Sequence, residues 1–252
     1  MKEKLPISVC ILVLNEEDRL ERCLAGLDDF AEIVVLDSGS TDRSLEICRS
    51  RGAVVHQEEW LGFGRMRRRL FSLASQPWIF WLDADEVVRR ELADEIRKVF
   101  ARPVDCDAFE INRMVFFAGR WIRHGEWFPD WNVRLFRRDR WEMEPREVHE
   151  SVTIRGRTGR LREYLEHHTY RDWNDRERRL RRYAELWARQ KAAEGKRASP
   201  LSGPLRSGWR FFRGYLLRRG FLDGSAGFEI ALSNAREVAL KYRLLRKYGN
   251  ND

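Results

Sequence analysis

The chain has 252 residues, enough for one large domain or one domain with an appendage, and at that length most of the unfolded surface can be buried. A hydrophobic share of 43% and a charged share of 35% exclude both a membrane-embedded chain and a disordered tail. The formal net charge of +8 is uneven: residues 1–165 hold 28 Lys+Arg against 30 Asp+Glu, whereas residues 166–252 hold 20 against 10. A first domain over 1–165 and a basic helical region over 166–252 are therefore expected, and the second should face an anionic partner.

No stretch reaches the ~18 consecutive apolar residues of a spanning helix. The early run Ile7 to Leu14 lacks a small-residue cleavage site, so no signal peptide is expected. This reading puts the chain in the cytoplasm or on the inner face of a membrane. Cys10, Cys23, Cys48 and Cys106 form no CxxC pair, and the histidines have no zinc-finger spacing, so reduced, mostly buried thiols are expected.

Ile7 to Val13 is a short β-branched run suited to a buried parallel strand, ended by Asn15 and Glu16. Leu20, Cys23, Leu24 and Leu27 give helical spacing over Glu17 to Asp28. Glu32 to Leu36 is a second strand, closed by Asp37-Ser38-Gly39-Ser40-Thr41-Asp42, in which Ser40 or Thr41 can cap a helix running to about Arg51. Ala53 to His56 is a third strand, Gly62 to Ala74 an arginine-rich helix, and Trp78 to Leu82 a fourth buried strand. That strand ends at Asp83-Ala84-Asp85-Glu86, and Glu91 to Phe100 is helical again. The alternation predicts an α/β fold with a parallel sheet and helices on both faces. Such sheets bind ligands at the carboxyl ends of their strands, so the three polar clusters should converge on one cleft.

After Pro103 the alternation stops. Asp107 to Arg113, Val115 to Trp121, Asn132 to Phe136 and Arg146 to Ile154 read as strands or loops without crossover helices, amid the aromatics Phe116, Phe117, Trp121, Trp127, Phe128, Trp131 and Trp141. Helices are predicted at about 172–195, 205–219 and 228–248, the first two separated by a Pro/Gly/Ser stretch over Ala198 to Pro204.

Four constellations carry chemistry. Asp83 and Asp85, one residue apart after a buried strand, offer hard oxygen ligands for Mg²⁺ or Mn²⁺. Such ions keep waters and share one or two protein carboxylates with substrate phosphates, which suits a diphosphate ligand. Asp37 followed by small residues suits a nucleoside base or ribose; no P-loop and no GxGxxG fingerprint is present. Val148-His149-Glu150 offers Glu150 as a general base and His149 as a metal or phosphate contact. The mixed aromatic and basic run Phe211 to Gly224 suits a helix lying in a membrane interface, or a basic amphipathic helix packed on the core.

The ordered set Leu14-Asn15-Glu16-Glu17, Asp37 to Asp42 and Leu82-Asp83-Ala84-Asp85-Glu86 resembles the inverting family 2 glycosyltransferases of GT-A fold. Arg134-Leu135-Phe136-Arg137, Val148-His149-Glu150 and Gly220-Phe221-Leu222-Asp223-Gly224 are similar to the subgroup that adds β-glucose to lipopolysaccharide inner-core heptose. The resemblance runs from about residue 7 to 245. It implies a GT-A, Rossmann-like mixed sheet with helices on both faces, plus C-terminal amphipathic helices.

It further implies UDP-glucose as donor. Asn15, Glu16, Asp37, Ser38, Gly39, Arg67, Asp83 and Ala84 would border the nucleotide sugar, and Asp83 and Asp85 would hold Mg²⁺ or Mn²⁺. Glu150 would be the catalytic base, with Asp130 as its rival and His149 beside it. The tryptophans would stack on sugar rings, and the basic C-terminal helices would hold an anionic lipid-linked glycan at the inner-membrane surface. Similar proteins read Gly-x-Gln-Lys/Arg-Asn in the helix before the DxD; here the segment is Gly64-Arg65-Met66-Arg67-Arg68, with Arg68 in place of an amide.

Other acceptors, such as polyprenyl phosphate, a capsule glycan or a peptide, stay open. A nucleic-acid-binding protein is the rival of a different class. No helix-turn-helix, RRM or KH signature is present, however, so no nucleic acid is expected as partner.

Overall fold

The computed structural model describes residues 3–143 and 152–249. They fall into two compact units: residues 3–113 with 130–143 and 152–167, and residues 114–129 with 168–249.

The first unit is built on a mixed sheet. Its parallel half comprises β1 (Leu5–Val13), β2 (Phe30–Asp37), β3 (Val54–Gln57) and β4 (Trp78–Asp83), connected through α1 (Glu17–Leu24), α2 (Ser44–Ser50) and α3 (Phe63–Ser72). After β4 come β5 (Glu86–Val87) and α4 (Arg90–Phe100), then β6 (Ala108–Phe117), whose last four residues belong to the second unit together with β7 (Arg120–Trp121), and, back in the first unit, β8 (Trp131–Arg137), β9 (Trp141–Met143), β10 (Val152–Ile154) and β11 (Thr158–His167). The strand order is β3-β2-β1-β4-β8-β6-β11-β5. β1 pairs with β2 and β4 in parallel, and β8 turns the sheet antiparallel by pairing with both β4 and β6. This is the α/β, GT-A arrangement expected from the motifs.

Alternation along the strands fills both faces. Ile7, Val9 and Ile11 point to the core under α1, α2 and α4, with Leu20, Phe80, Leu92 and Leu135. Cys10, Val34, Leu36 and Ile79 point to the opposite core, with Met66, Leu70 and Phe71 of α3. Cys10, Cys23 and Cys48 are free and buried, and burial pushes their thiols up, Cys48 to about 11, so they act as inert apolar side chains.

The antiparallel half departs from expectation. Asp107 to Arg113 and Val115 to Trp121 are one long strand, β6, followed by the short β7. The sequence pattern predicts no element over Thr158–His167, where β11 forms. The cap of α2 also differs: the Asp42 carboxylate accepts the Ser44 N–H at 2.9 Å, while Ser40 and Thr41 turn toward β1.

The second unit holds α5 (Trp173–Ala193), α6 (Ser202–Phe212) and α7 (Gly224–Gly249), with a π-turn over Arg213–Leu217 and a 3-10 turn over Gly220–Asp223. Its core gathers Val115, Phe117, Ile122, Ala226 and Ile230. At the crossing of the 3-10 turn and α7, a Cβ on Gly227 would lie 1.8 Å from the Gly220 carbonyl oxygen, so glycine alone fits there. No described helix is long and apolar enough to cross a membrane.

Candidate active site

The carboxyl ends of β1, β2 and β4 carry the three polar clusters, and specific bonds draw them together. Asn15, at φ +54°, donates its N–H to Ser40 Oγ at 2.9 Å and accepts the Thr41 N–H on Oδ1 at 2.8 Å. Glu16 donates its N–H to Ser44 Oγ at 2.8 Å. Arg19 links this corner to the third cluster: Nη1 lies 3.1 Å from Glu16 and 3.9 Å from Asp85. The convergence expected from the strand ends is therefore present in the folded chain.

Asp37 is 0% exposed, and its carboxylate accepts the N–H groups of Gly39 at 3.0 Å and Ser40 at 3.1 Å, together with the Ser40 hydroxyl. It holds a tight turn in which Gly39 takes φ +106°, a region costly for side chains. Ser38 closes the turn onto β1, donating its N–H to the Val13 carbonyl at 3.1 Å.

The third cluster is an alternating charge network. Arg134 on β8, 2% exposed, donates from Nη2 to Asp83 at 2.7 Å and to Glu86 at 2.5 Å. Glu86 is 0% exposed and accepts the Asp83 N–H at 2.9 Å. Arg113 on β6 lies 3.3 Å from Glu86 and 3.8 Å from Asp83, and grips Asp130 from Nε at 2.9 Å and Nη2 at 2.6 Å. Burial opposes the Asp83 charge, but Arg134, Arg67 and Arg113 outweigh it and hold its carboxyl well below the usual range. Trp81, two residues before Asp83 on the same side of β4, has the Arg134 guanidinium over its ring at 4.5 Å and that of Arg67 at 4.6 Å. Ala84, buried between the two aspartates, keeps the turn compact.

Asp85 faces His167, the last residue of β11, whose Nε2 lies 3.5 Å from Oδ1. Here too burial works against the charge, and the His167 contact together with Arg19 holds the carboxyl low. The buried His167 Nδ1 has no hydrogen-bond partner among the described residues. Among those residues no cluster of three or more His, Cys, Asp or Glu is arranged to hold a metal ion. The two aspartates still fit the protein share of a Mg²⁺ or Mn²⁺ site completed by waters and a diphosphate, with His167 as a nitrogen donor beside Asp85.

Of the expected site residues, Asn15, Glu16, Asp37, Ser38, Gly39, Arg67, Asp83, Ala84 and Asp85 thus belong to this corner. Asp130 also lies in the first unit, but its Oδ2 is taken by Arg113 and its Oδ1 accepts Asn132 Nδ2 at 2.9 Å. His149 and Glu150 lie outside the described residues. The ladder of β9 with β10 brackets their segment, pairing Met143 with Val152, and Arg68 donates to the Met143 carbonyl at 2.6 Å. The expectation that the tryptophans stack on sugars does not hold for all of them. Trp127 packs against Phe117 and Tyr170, and Trp141 against Phe71 and Phe136, because both are needed to fill protein cores.

The residues that sequence reasoning passed over are Arg113, His167 and Arg19, along with the ion-pairing role of Arg134. Their only signal was a charged residue set in an otherwise apolar pattern.

A family model described as "Glycosyl transferase family 2" matches residues 8–169. The chain belongs to this family. The lipopolysaccharide core biosynthesis glycosyltransferase LpsC of Rhizobium meliloti (strain 1021) is 28% identical to this family 2 chain, over 97% of it and 96% of LpsC. An uncharacterized glycosyltransferase of Rickettsia typhi (strain ATCC VR-144 / Wilmington) is 25% identical over 94% of this chain and 89% of its own length. Among solved structures, glucosyl-3-phosphoglycerate synthase from Mycobacterium tuberculosis is 24% identical over 45% of this chain and 44% of that one, with a TM-score of 0.36, too loose an overlap to compare sites.

Proposed function

We propose that the chain transfers glucose from UDP-glucose, with inversion, to a hydroxyl of a lipopolysaccharide inner-core heptose or a similar anionic lipid-linked glycan. It would work as a peripheral protein on the inner face of the membrane. The observation that carries this reading is the Asp83-Ala84-Asp85 turn, whose first carboxylate is fixed by Arg134 and whose second faces His167. It adjoins the loop that Asn15 and Asp37 hold. Family membership and the full-length likeness to LpsC support it.

In this reading Asp85 and His167 would hold Mg²⁺ or Mn²⁺, with Asp83 contributing from the Arg134 side. When bound, the ion offsets the negative charge that builds on the departing UDP. Arg67, held over Trp81, supplies further positive charge near the diphosphate. The turn of Ser38 and Gly39 receives the nucleoside. Asp37 acts through that turn, since its carboxylate is occupied and sealed from solvent.

Glu150 removes the proton from the acceptor hydroxyl as that oxygen attacks the anomeric carbon in line, and His149 contacts the acceptor or donor phosphate. One displacement converts an α-donor into a β-linkage. Asp130 is better suited to orienting Arg113 than to accepting a proton, because proton transfer to it would break its pairs with Arg113 and Asn132.

The test is transfer of glucose from UDP-glucose to purified inner-core acceptor, read by mass spectrometry. Glu150→Gln should lower turnover at least about a hundredfold with UDP affinity preserved. Wild-type turnover in that variant would refute the base assignment, and lack of transfer to any heptose acceptor would refute the acceptor.

A further inference from the structure

Helix α6 is inverted relative to an ordinary core helix. Its small residues face the protein. Ser207 donates to the Ala235 carbonyl at 2.9 Å, and a Cβ on Gly203 would already lie 3.4 Å from Tyr242 Cβ. In the π-turn that follows, a Cβ on Gly214 would lie 3.2 Å from Glu126 Cγ. These positions let α6 sit close on the alanine-rich side of α7.

Its large apolar residues face out. Leu201, Leu205, Trp209, Phe212 and Leu216 are all exposed, Leu205 to 69% and Trp209 to 57%. Their spacing of four, four, three and four residues makes one continuous stripe, roughly 20 Å long at 1.5 Å per residue. Leu217 at the end of the π-turn, and Phe221 and Leu222 beyond it, are exposed as well. Trp209 and Phe212 stack on each other at 5.9 Å rather than on a core.

Charge borders the stripe with one sign. Arg206, Arg218 and Arg219 are exposed, and Arg210 and Arg213 are anchored inward on the buried Glu126 carboxylate. No acidic residue lies between Arg197 and Leu222. A contiguous apolar face with a cationic rim fits an anionic lipid surface, with the apolar side chains at the acyl boundary and the guanidiniums among the headgroups.

We propose that the stripe Leu201–Leu205–Trp209–Phe212–Leu216 is an in-plane membrane anchor for anionic lipid. This deepens the peripheral-membrane part of the function proposed above and rests on it for its biological setting. The anchor needs neither nucleotide nor acceptor.

The experiment is vesicle flotation of the full chain with phosphatidylethanolamine–phosphatidylglycerol vesicles, and with pure phosphatidylcholine vesicles for comparison. Wild-type protein should float with the anionic vesicles. The variant L205S/W209S/F212S should lose at least roughly tenfold in binding, while keeping wild-type Tm and UDP affinity. Replacing Arg206, Arg218 and Arg219 by serine should weaken binding mainly at low salt. Undiminished flotation of the triple apolar variant would overturn the anchor. So would sedimentation showing a dimer in wild type and a monomer in the variant with no vesicle binding by either, since the stripe would then serve a second copy. Loss of UDP binding with flotation intact would instead count against the transferase reading and leave the anchor standing.

Discussion

The Arg134 guanidinium and the Asp83 carboxylate lie 2.7 Å apart, and the same Nη2 lies 2.5 Å from Glu86. One buried cation thus serves two acids whose backbone forms the DxD turn. Arg134→Met would leave the buried Glu86 carboxylate with the Asp83 N–H and, among the described residues, Arg113 as its one ion-pair partner. Removing one member of a buried ion pair costs about 3–5 kcal/mol, so Tm should fall by very roughly 10 °C. Thermal unfolding of the purified variant checks this; a Tm within a degree or two of wild type would mean that Arg113 alone neutralises the turn.

Stability should also depend on pH through Asp83. Its carboxyl is held below its unfolded value, so its contribution is complete above the unfolded pKa of about 3.9 and is lost as pH falls toward the folded value. Wild-type Tm should therefore be insensitive to this group above about pH 5 and fall below about pH 4. Asp83→Asn should start lower and show a shallower acid fall. Parallel acid profiles would place the titration elsewhere.

Asp37→Ala should act on the nucleotide loop. It leaves the Gly39 and Ser40 N–H groups without their acceptor, at a cost of about 1–3 kcal/mol. UDP affinity should drop about tenfold, since that factor corresponds to roughly 1.4 kcal/mol of lost loop order. Calorimetric titration reads the affinity, and unchanged UDP binding would detach this turn from the donor site.

Gly227→Ala tests the helical unit. The new methyl would meet the Gly220 carbonyl oxygen, a backbone atom that cannot swing aside. Overpacking of this kind typically costs about 1–3 kcal/mol. Limited proteolysis should cut residues 168–249 first in this variant; a wild-type digestion pattern would show that the crossing relaxes freely.

The parallel half of the sheet was legible because each strand is a continuous apolar run followed by a polar cluster and a helical period. The same reading brought Asn15, Asp37 and Asp85 toward one corner; in the folded chain Asn15 bonds Ser40 and Thr41 of the Asp37 turn, and Arg19 spans Glu16 and Asp85. β11 was not legible. Only Leu161 and Leu165 are fully buried in Thr158–His167, and their spacing of four mimics a helix in a strand otherwise mixed with charges.

Arg113 and Arg134 looked like two more arginines in a basic chain. Their importance comes from β6 and β8, which carry them across the sheet to Asp83 and Glu86, a pairing that no local pattern encodes. By its composition the segment Phe211 to Gly224 suits either an interfacial or a core-packed helix. Which face of the preceding helix turns inward became visible only once Gly203 and Ser207 met α7.

The most direct test of the nucleotide-sugar site is thermal shift with UDP, with and without Mn²⁺, on wild type and Asp85→Ala. A ligand at a hundred times its dissociation constant stabilises by about 2.7 kcal/mol, which in a chain of this size raises Tm by roughly 5–10 °C. The expected result is a Mn²⁺-dependent shift with UDP in wild type and none in Asp85→Ala. An equal shift in both proteins, or none in a folded wild-type chain, would contradict the assignment of the Asp83–Asp85 turn to metal-assisted donor binding.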